Sequence, residues 1–528
     1  MLLGGMMRTV SSWFDFINSS AGTNRLAEIY GVDFVENRRR AILNTLRRFG
    51  EDYGFGRSVI IVRVPGRVNL MGRHVDHRGG FVNPIVIPRE VIMVAEGRED
   101  SYIEVHNFEE KFESGRFEIG EELPARKIHT LDEWRRWTQE NIEGKSEKER
   151  RSWINYVKTI CYLQNVYMGN GSYKKRLLGA NIVCYGDIPR SAGLSSSSAL
   201  VVATYLAVSS LNRLEIPREK MVEYTGVGEW YVGTRGGWGD QAAMLFSKRG
   251  FISHIGFFPF RISYIPFPTG VSIILCNSFV TASKMTGARS IFNEKVSTYE
   301  FGFELMKKFN PELKRVEYLR DINPENFETR EIYRMIKSLP EKIGRSELRS
   351  LLPEKEEWLN KVFKEHEEPR DGYDLRGVCL FGISECERSR KTRWILPGEV
   401  ELFGRLMSIS HDGDRVSKAG GKWCVSVTDE YLERLIRSEG EAGLEFQPGY
   451  YGCGTEETDF LVDTALTVPG ALGASLVGAG LGGCVEILVD RKATDRVVER
   501  LEREYYYDES RPKSGIMLVN PVEGACLV

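Results

Sequence analysis

Four consecutive serines, Ser195 to Ser198, follow Gly193 and form the stretch of this 528-residue sequence with the most obvious chemical potential. The strand-like segment Ala180 to Tyr185 precedes them and the apolar segment Ala199 to Val208 follows, which predicts a strand, a loop and a helix in that order. Such a turn directs backbone N–H groups and the positive end of a helix dipole at one point, an arrangement that binds phosphate. Plain Gly/Ser connections have the same composition, so this stretch alone leaves both interpretations open.

The serine stretch is not a Walker A loop, because no Gly-Lys-Ser/Thr follows it. If it binds phosphates, positive charge must come from elsewhere. Mg²⁺ is the simplest candidate, since it takes oxygen ligands from hydroxyls, carboxylates and phosphates.

Three further segments concentrate residues that could bind or catalyse. Pro65 to Pro84 follows a predicted strand and holds several polar side chains in a short turn-bounded stretch, namely Arg67, Asn69, Arg73, His74, Asp76 and His77. Gly228 to Met244 brings Glu229 and Asp240 together across a glycine-rich bend. Pro469 to Val489 is a second glycine-rich loop that leads into a predicted strand.

The composition sets the class of protein. With 28% charged residues, 42% hydrophobic residues and a net charge of −2, the chain has an ordinary globular composition that indicates neither a nucleic-acid nor a membrane partner. The nine cysteines show no C-x-x-C pair or zinc spacing, which favours free thiols in a reducing cytoplasm. Arg38 to Arg40 precede an apolar run and are interpreted as the solvated side of a helix.

The four segments together resemble the signature motifs of the GHMP small-molecule kinases. Pro65 to Pro84 is most similar to the galactokinase branch, whose pattern is G-R-V-N-L-I-G-E-H-T-D-Y-N-G-G. Supporting matches occur at Trp153–Lys158, Leu402–Met407 with Ser410 and His411, and Asp459–Val462. The likeness spans roughly residues 50 to 500.

The resemblance implies a two-lobed α+β fold with the active site in the cleft between the lobes. The N-terminal lobe would be like the second domain of ribosomal protein S5, and the C-terminal lobe would be ferredoxin-like. The N-terminal lobe would be residues 51–268 and the C-terminal lobe residues 269–528. Helical spacing of apolar residues predicts a helical extension at residues 1–50. Polar and charge-rich stretches predict a mobile insertion near 108–151 in the first lobe and insertions near 311–370 and 415–443 in the second.

The resemblance also implies roles for individual residues, with ATP and Mg²⁺ as the cofactors and a sugar as the substrate. Asp240 would be the catalytic base, with Arg67 beside it, and Ser197 and Glu229 would ligate Mg²⁺. The residues expected to bind ATP form one run, Gly193, Leu194, Ser195, Ser196, Ser197 and Ser198. Those expected to bind the sugar are Arg73, His74, Asp76 and Gly237. The glycine-rich loop at Pro469 to Val489 would pack beside the phosphate loop.

The sequence departs from galactokinases at the acceptor site. Arg73 stands where they have glutamate, His77 where they have tyrosine, and Phe292 where the Y-N-x-R stretch has its tyrosine. A desolvated arginine prefers a carboxylate or phosphate, so a galacturonokinase or another kinase of modified sugars is one alternative to a galactokinase. A non-catalytic sugar sensor on the same fold is another, and the mevalonate-type decarboxylases are disfavoured by the sugar-type first motif. The oligomeric state is not indicated.

Overall fold

The structure is a computed structural model that describes residues 7–124, 126–167, 176–233, 236–281, 288–417, 425–438, 442–507 and 509–528. The strands are β1 (Arg8–Thr9), β2 (Ser58–Asn69), β3 (Pro84–Gly97), β4 (Tyr102–Asn107), β5 (Gly115–Glu118), β6 (Ala180–Gly186), β7 (Phe251–Gly256), β8 (Arg261–Pro266), β9 (Val271–Asn277), β10 (Lys342–Ile343), β11 (Tyr373–Asp374), β12 (Ala471–Leu476), β13 (Cys484–Asp490), β14 (Ile516–Val519) and β15 (Cys526–Leu527).

The helices are α1 (Val10–Asn18), α2 (Ser20–Tyr30), α3 (Val35–Tyr53), α4 (Leu131–Glu143), α5 (Glu147–Arg150), α6 (Ile154–Lys158), α7 (Cys161–Tyr167), α8 (Ser196–Leu211), α9 (Arg218–Gly228), α10 (Gly239–Phe246), α11 (Ala288–Phe309), α12 (Thr329–Lys337), α13 (Arg345–Leu351), α14 (Glu356–Val362), α15 (Leu375–Ile395), α16 (Val400–Asp414), α17 (Asp429–Arg437), α18 (Glu456–Leu466) and α19 (Thr494–Glu504). None of the described helices is both long enough and apolar enough to cross a bilayer.

A mixed sheet forms the first lobe, with the strand order β1-β2-β3-β6-β4-β5 and β15 added beside β2. β2 and β3 are buried on both faces, and β2 is therefore almost continuously apolar rather than alternating. Ile60 and Val62 on one face pack in the same core as α8, and Val59 and Ile61 on the other pack with α1 to α3. The helix that carries the serines is thus fixed on one side of a fully covered sheet.

The second lobe contains an antiparallel sheet ordered β12-β13-β9-β14. Taken along the chain, these are the second, third, first and fourth strands of the sheet, with helices between the first and second and between the third and fourth. This is the predicted ferredoxin-like arrangement. The chain then returns to the first lobe, where Cys526 of β15 pairs with Arg63 of β2, so its last strand lies outside the C-terminal lobe to which the sequence assigned it.

The first insertion differs from the expectation of a mobile segment. It forms β5, α4 and α5, and Trp134 of α4 is fully buried, with its Nε1 donating to Val227 O at 3.0 Å. Helix α4 is rich in charged residues but has one apolar face that packs inward, and the overall composition of the segment does not show that face. The second insertion contributes α12 to α14 to a separate core with α11 and α15. The third contains α17, and its residues 418–424 and 439–441 lie outside the described residues.

The interpretation of all three arginines at 38–40 as solvated is wrong for Arg38. Its side chain is 2% exposed and pairs with Asp187 at 2.6 Å and with Glu90 at 3.8 Å. Glu90 is itself fully buried and accepts hydrogen bonds from Arg63 Nε and Tyr30 Oη, both at 2.6 Å. This charged cluster joins α2 and α3 to the first sheet. The helical pattern of the sequence alone cannot show which of the three arginines is buried in it.

The Glu90 cluster predicts a specific stability defect. Glu90→Gln keeps the shape of the side chain but leaves Arg63 and Arg38 buried with less countercharge, and breaking a buried ion pair costs about 3 kcal/mol. We expect a clearly lower melting temperature in differential scanning fluorimetry. Glu36→Gln is the matched control, because Glu36 pairs with Arg39 but is 79% exposed. Equal melting temperatures for the two variants would contradict a structural role for the cluster.

Candidate functional site

The serine stretch forms the start of α8 and lies at the point where the first lobe faces the second. Ser195 precedes the helix in a left-handed conformation, with φ 58° and ψ 47°, which is uncommon for a residue with a side chain and concentrates at functional sites. The first bond of the helix runs from Ala199 N to Ser195 O at 3.1 Å. The N–H groups of Ser196, Ser197 and Ser198 lie ahead of that bond and are directed out of the helix end.

The second glycine-rich loop packs against the serine loop, as predicted. Gly193 has φ +76°, and a Cβ there would lie 2.6 Å from Val477 O. A Cβ at Gly478 would in turn lie 2.9 Å from Gly193 O. Cys484 N also donates to Ala192 O at 3.0 Å. The two backbones approach so closely that only glycine fits, and the second lobe therefore fixes the shape of the serine loop.

Asp240 is held from two directions in front of this loop. It lies in the first turn of α10, Arg67 Nε donates to its Oδ1 at 2.6 Å, and Ser195 Oγ donates to its Oδ2. Arg67 also donates from Nη1 to Gly193 O. The Asp240 side chain remains 32% exposed, against 12% for Arg67, so a carboxylate with a fixed orientation faces the cleft.

Glu229 lies deeper, behind the serines. It accepts hydrogen bonds from Ser198 Oγ at 2.9 Å, from Gln241 Nε2 at 2.6 Å and from the Ser197 side chain. Burial, with the charge of Asp240 adding to it, raises the pKa of Glu229 from 4.5 to about 7. These three partners are all neutral, so the carboxyl is short of positive charge. A hard divalent cation suits this set of hydroxyl and carboxylate oxygens.

Asp76 and Gly237 lie against each other at the acceptor side of the site. A Cβ at Gly237 would lie 1.9 Å from Asp76 Oδ2, so the close approach requires glycine. Burial opposes ionisation of Asp76, but the hydrogen bond and charge of His77, whose Nδ1 is 3.1 Å from Asp76 Oδ1, lower the pKa of this carboxyl. The turn after β2 and the start of α10 therefore form one surface beside Asp240.

Arg73 and His74 point away from that surface into the second lobe. The Arg73 side chain is 1% exposed, and its Nη1 and Nη2 atoms donate four hydrogen bonds to protein oxygens. His74 is 3% exposed, adopts φ 60° and stacks on Tyr451 with ring centroids 4.2 Å apart. The interpretation of Arg73 as a clamp for a substrate carboxylate is not supported, because the lobe contact already uses its guanidinium group.

Comparison with known proteins finds three family models that match parts of this chain. The GHMP kinases N terminal domain matches residues 155–248, the GHMP kinases C terminal domain matches residues 428–508, and the galactokinase galactose-binding signature matches residues 47–96. The sequence therefore matches both domains of the GHMP kinases. The galactokinase signature includes Arg67 and Asp76, and the N terminal domain match includes the serines, Glu229 and Asp240.

Galactokinases are among the proteins that this chain resembles. It is 26% identical to a galactokinase of Roseiflexus sp. over 87% of this chain and 90% of the relative, and 25% identical to one of Dictyostelium discoideum over 93% and 95%. A crystal structure of Lactococcus lactis galactokinase complexed with galactose aligns with a TM-score of 0.63 at 20% identity, covering 92% of this chain and 99% of that one. This alignment confirms the predicted two-lobed α+β fold.

Sequence reasoning gave Gln241 no role and assigned Ser198 only to the phosphate loop. Both hydrogen-bond to Glu229, so the site has a second layer of residues behind Ser197 and Asp240. Helical geometry gives a signal for Ser198, which lies on the first turn of α8 beside Ser197. Gln241 directly follows Asp240 on α10, but only the fold shows that it reaches Glu229.

The contact between the two loops predicts a defect in nucleotide binding. In Gly193→Ala the new methyl group would collide with Val477 O and the backbone would be strained at φ +76°, so the serine loop must move. We expect at least a tenfold weaker binding of ATP in titration calorimetry, about 1.4 kcal/mol. Gly398→Ala is the control, since a Cβ there meets nothing within 4 Å. Unchanged ATP binding in Gly193→Ala would contradict the assignment of this loop.

Glu229 predicts a pH-dependent stability. In the native protein the carboxyl keeps its proton up to about pH 7, whereas the unfolded chain releases it near 4.5. Because the native state binds more protons in this range, its free energy of unfolding falls as pH rises, by roughly 3 kcal/mol in total. Glu229→Gln removes this slope. The melting temperature of the metal-free variant, minus that of wild type, should therefore increase from about pH 5 to pH 8. A constant difference would be inconsistent with a buried carboxyl of raised pKa.

Proposed function

We propose that this protein is an ATP-dependent sugar 1-kinase of the galactokinase type, which transfers the γ-phosphate of ATP to the anomeric hydroxyl of galactose or a closely related hexose. The observation that carries the proposal is the position of Asp240, between Arg67 and Ser195 at the mouth of the serine loop and beside Asp76 and Gly237. A carboxylate in this place lies next to both a phosphate-binding loop and an acceptor surface.

The serine loop would hold the phosphates of ATP. The backbone N–H groups of Ser196, Ser197 and Ser198 and the dipole of the 16-residue helix α8 favour negative charge at this point. Gly193 and Leu194, which precede the serines, would let the backbone approach the phosphates closely. Phosphoryl transfer depends mainly on such alignment and charge stabilisation rather than on covalent chemistry by the enzyme.

Ser197 and Glu229 would hold Mg²⁺, with Ser198 and Gln241 orienting the carboxylate. When bound there, Mg²⁺ would supply positive charge to the phosphates of ATP. The raised pKa of Glu229 supports this role, because the buried carboxyl lacks a cationic partner among the three residues that hydrogen-bond to it.

Asp240 would accept the hydrogen bond, and then the proton, of the attacking sugar hydroxyl. Ser195 Oγ donates to Asp240 Oδ2, and the acceptor hydroxyl would take over this bond on binding. Arg67, whose Nε lies 2.6 Å from Asp240 Oδ1, orients this carboxylate and can stabilise negative charge that develops during transfer.

A neutral acceptor fits the site better than a uronic acid. Asp76 would face the sugar hydroxyls next to Gly237, and an ionised carboxylate there accepts hydrogen bonds from hydroxyls but repels a second carboxylate. The basic residue that favoured a uronate, Arg73, is buried against the second lobe. A sensor without activity is disfavoured because the predicted catalytic residues are joined to each other in one site.

We also expect the protein to act in the cytoplasm. All eight cysteines among the described residues are free, which is the usual state in a reducing compartment.

The proposal is tested by ADP release with Mg-ATP and a panel of galactose, galacturonate, glucuronate, arabinose and N-acetylgalactosamine. We expect galactose to be turned over and Asp240→Asn to lower kcat by about 10²–10⁴-fold, the usual contribution of a general base. Asp495→Asn is a matched control, since Asp495 lies in the first turn of α19 as Asp240 does in α10. Turnover of uronates alone would contradict the neutral acceptor, and ATP and sugar binding without turnover would favour the sensor.

A further inference from the structure

The turn that carries Arg73 is anchored to the second lobe through its backbone. Gly72 N and Arg73 N both donate to Glu385 Oε1, at 2.7 and 3.1 Å. Glu385 lies on α15, is fully buried and is held by Arg388 Nε at 2.7 Å and Ser410 Oγ at 2.8 Å. The position of the acceptor-side turn is therefore set by the second lobe, although the turn belongs to the first.

The Arg73 guanidinium group continues this contact across the lobe boundary. Its Nη1 donates to Ser475 Oγ and, at 3.0 Å, to Leu476 O on β12. Its Nη2 donates to Ser410 Oγ at 3.0 Å and to Asp414 Oδ2 at 3.1 Å on α16. One side chain thus ties the turn after β2 to two separate elements of the second lobe.

The first of these elements leads directly to the serine loop. Leu476 is the last residue of β12, and Val477, the next residue, provides the carbonyl that lies against Gly193. Gly478 packs on Gly193 from the same loop. A displacement of Arg73 would therefore act on the segment that limits the position of Gly193.

The second element reaches the same loop at its middle. The backbone carbonyl of Asp414 accepts from Gly454 N at 2.7 Å, and Asp414 Oδ1 lies 3.4 Å from Cys453 N. Cys453 O in turn accepts from Leu481 N at 2.7 Å, and Leu481 adopts φ 59°. Two routes therefore connect Arg73 with the loop between β12 and β13.

The charge of Arg73 is matched by Asp414. Burial opposes ionisation, but the charges of His74 and Arg73 lower the pKa of Asp414 to about 2. Glu486 faces the same region, but burial raises the pKa of its carboxyl well above the ordinary value. Asp414 on α16 is therefore the ionised group that the Arg73 guanidinium contacts directly, and a neutral side chain at position 73 would leave Asp414 short of positive charge.

We propose that Arg73 is a positioning residue that couples the acceptor turn to the phosphate loop, so that acceptor and nucleotide bind more tightly together than separately. The inference rests on the proposed function, because it takes Asp76 and the serine loop as the two binding surfaces. Arg73 touches neither substrate, and its effect passes through Asp414, Leu476 and the loop that follows.

The test is the dissociation constant of Mg-AMP-PNP, measured by titration calorimetry with and without saturating galactose. We expect wild type to bind the nucleotide at least fivefold more tightly in the presence of galactose, within the usual range of coupling between sites. Arg73→Met should reduce this ratio to below about twofold. Arg73→Lys keeps a charge for Asp414 but cannot span Asp414 and Leu476 O together, so it should give an intermediate ratio even if Arg73→Met does not fold.

Arg376→Met is the matched control. Arg376 is also buried, donates to the carbonyls of Leu339 and Lys337 at 2.7 and 2.9 Å and pairs with Asp429 at 2.9 Å, all within the second lobe. The Arg376→Met variant should have a lower melting temperature, but the ratio of its nucleotide dissociation constants without and with galactose should equal that of wild type.

A wild-type ratio in Arg73→Met and Arg73→Lys, or an equal loss in Arg376→Met, would overturn the proposal. Absence of coupling in wild type that binds both ligands would overturn it as well, while leaving the proposed function intact. Failure of wild type to bind galactose at all would instead count against the proposed function and remove the basis of the coupling.

Discussion

The contact between Arg67 and Asp240 is the interaction on which the site depends. Their 2.6 Å ion pair joins the end of β2 to the first turn of α10. Arg67 also donates to Gly193 O, and Asp240 accepts from Ser195 Oγ. Strand, helix and loop thus meet at one charged pair, which orients the carboxylate while leaving it partly exposed. The large covered sheet behind it keeps these elements in place.

The second lobe completes the site without contributing its central charges. Its glycine-rich loop fits against Gly193, and α15, α16 and β12 hold the turn at Arg73. Both binding surfaces of the first lobe are therefore shaped by contacts with the second. This explains why glycines and buried polar residues, rather than further catalytic groups, dominate the boundary between the lobes.

Local sequence signals predicted the strand before the serine loop and the helix after it. The position of Arg67 beside Asp240 was implied by the resemblance to the GHMP kinases, and the contact of Ser195 with Asp240 was not predicted. The sequence could not predict the direction of Arg73, because charge reversal in a binding motif is equally compatible with a new ligand and with a buried partner such as Asp414, 341 residues away. Trp134 and Arg38 were misjudged for the same reason, since both lie in charged helical segments whose buried face is defined by distant residues such as Val227 and Glu90.

In the proposed function, the carboxylate at the mouth of the serine loop directs phosphate from ATP to the anomeric oxygen of a hexose. Phosphorus–proton correlation NMR of the product formed from galactose and Mg-ATP tests it most directly. We expect a phosphorylated sugar whose phosphorus couples to the anomeric proton. Coupling to any other sugar proton, or ATP consumption with no phosphorylated sugar, would contradict it.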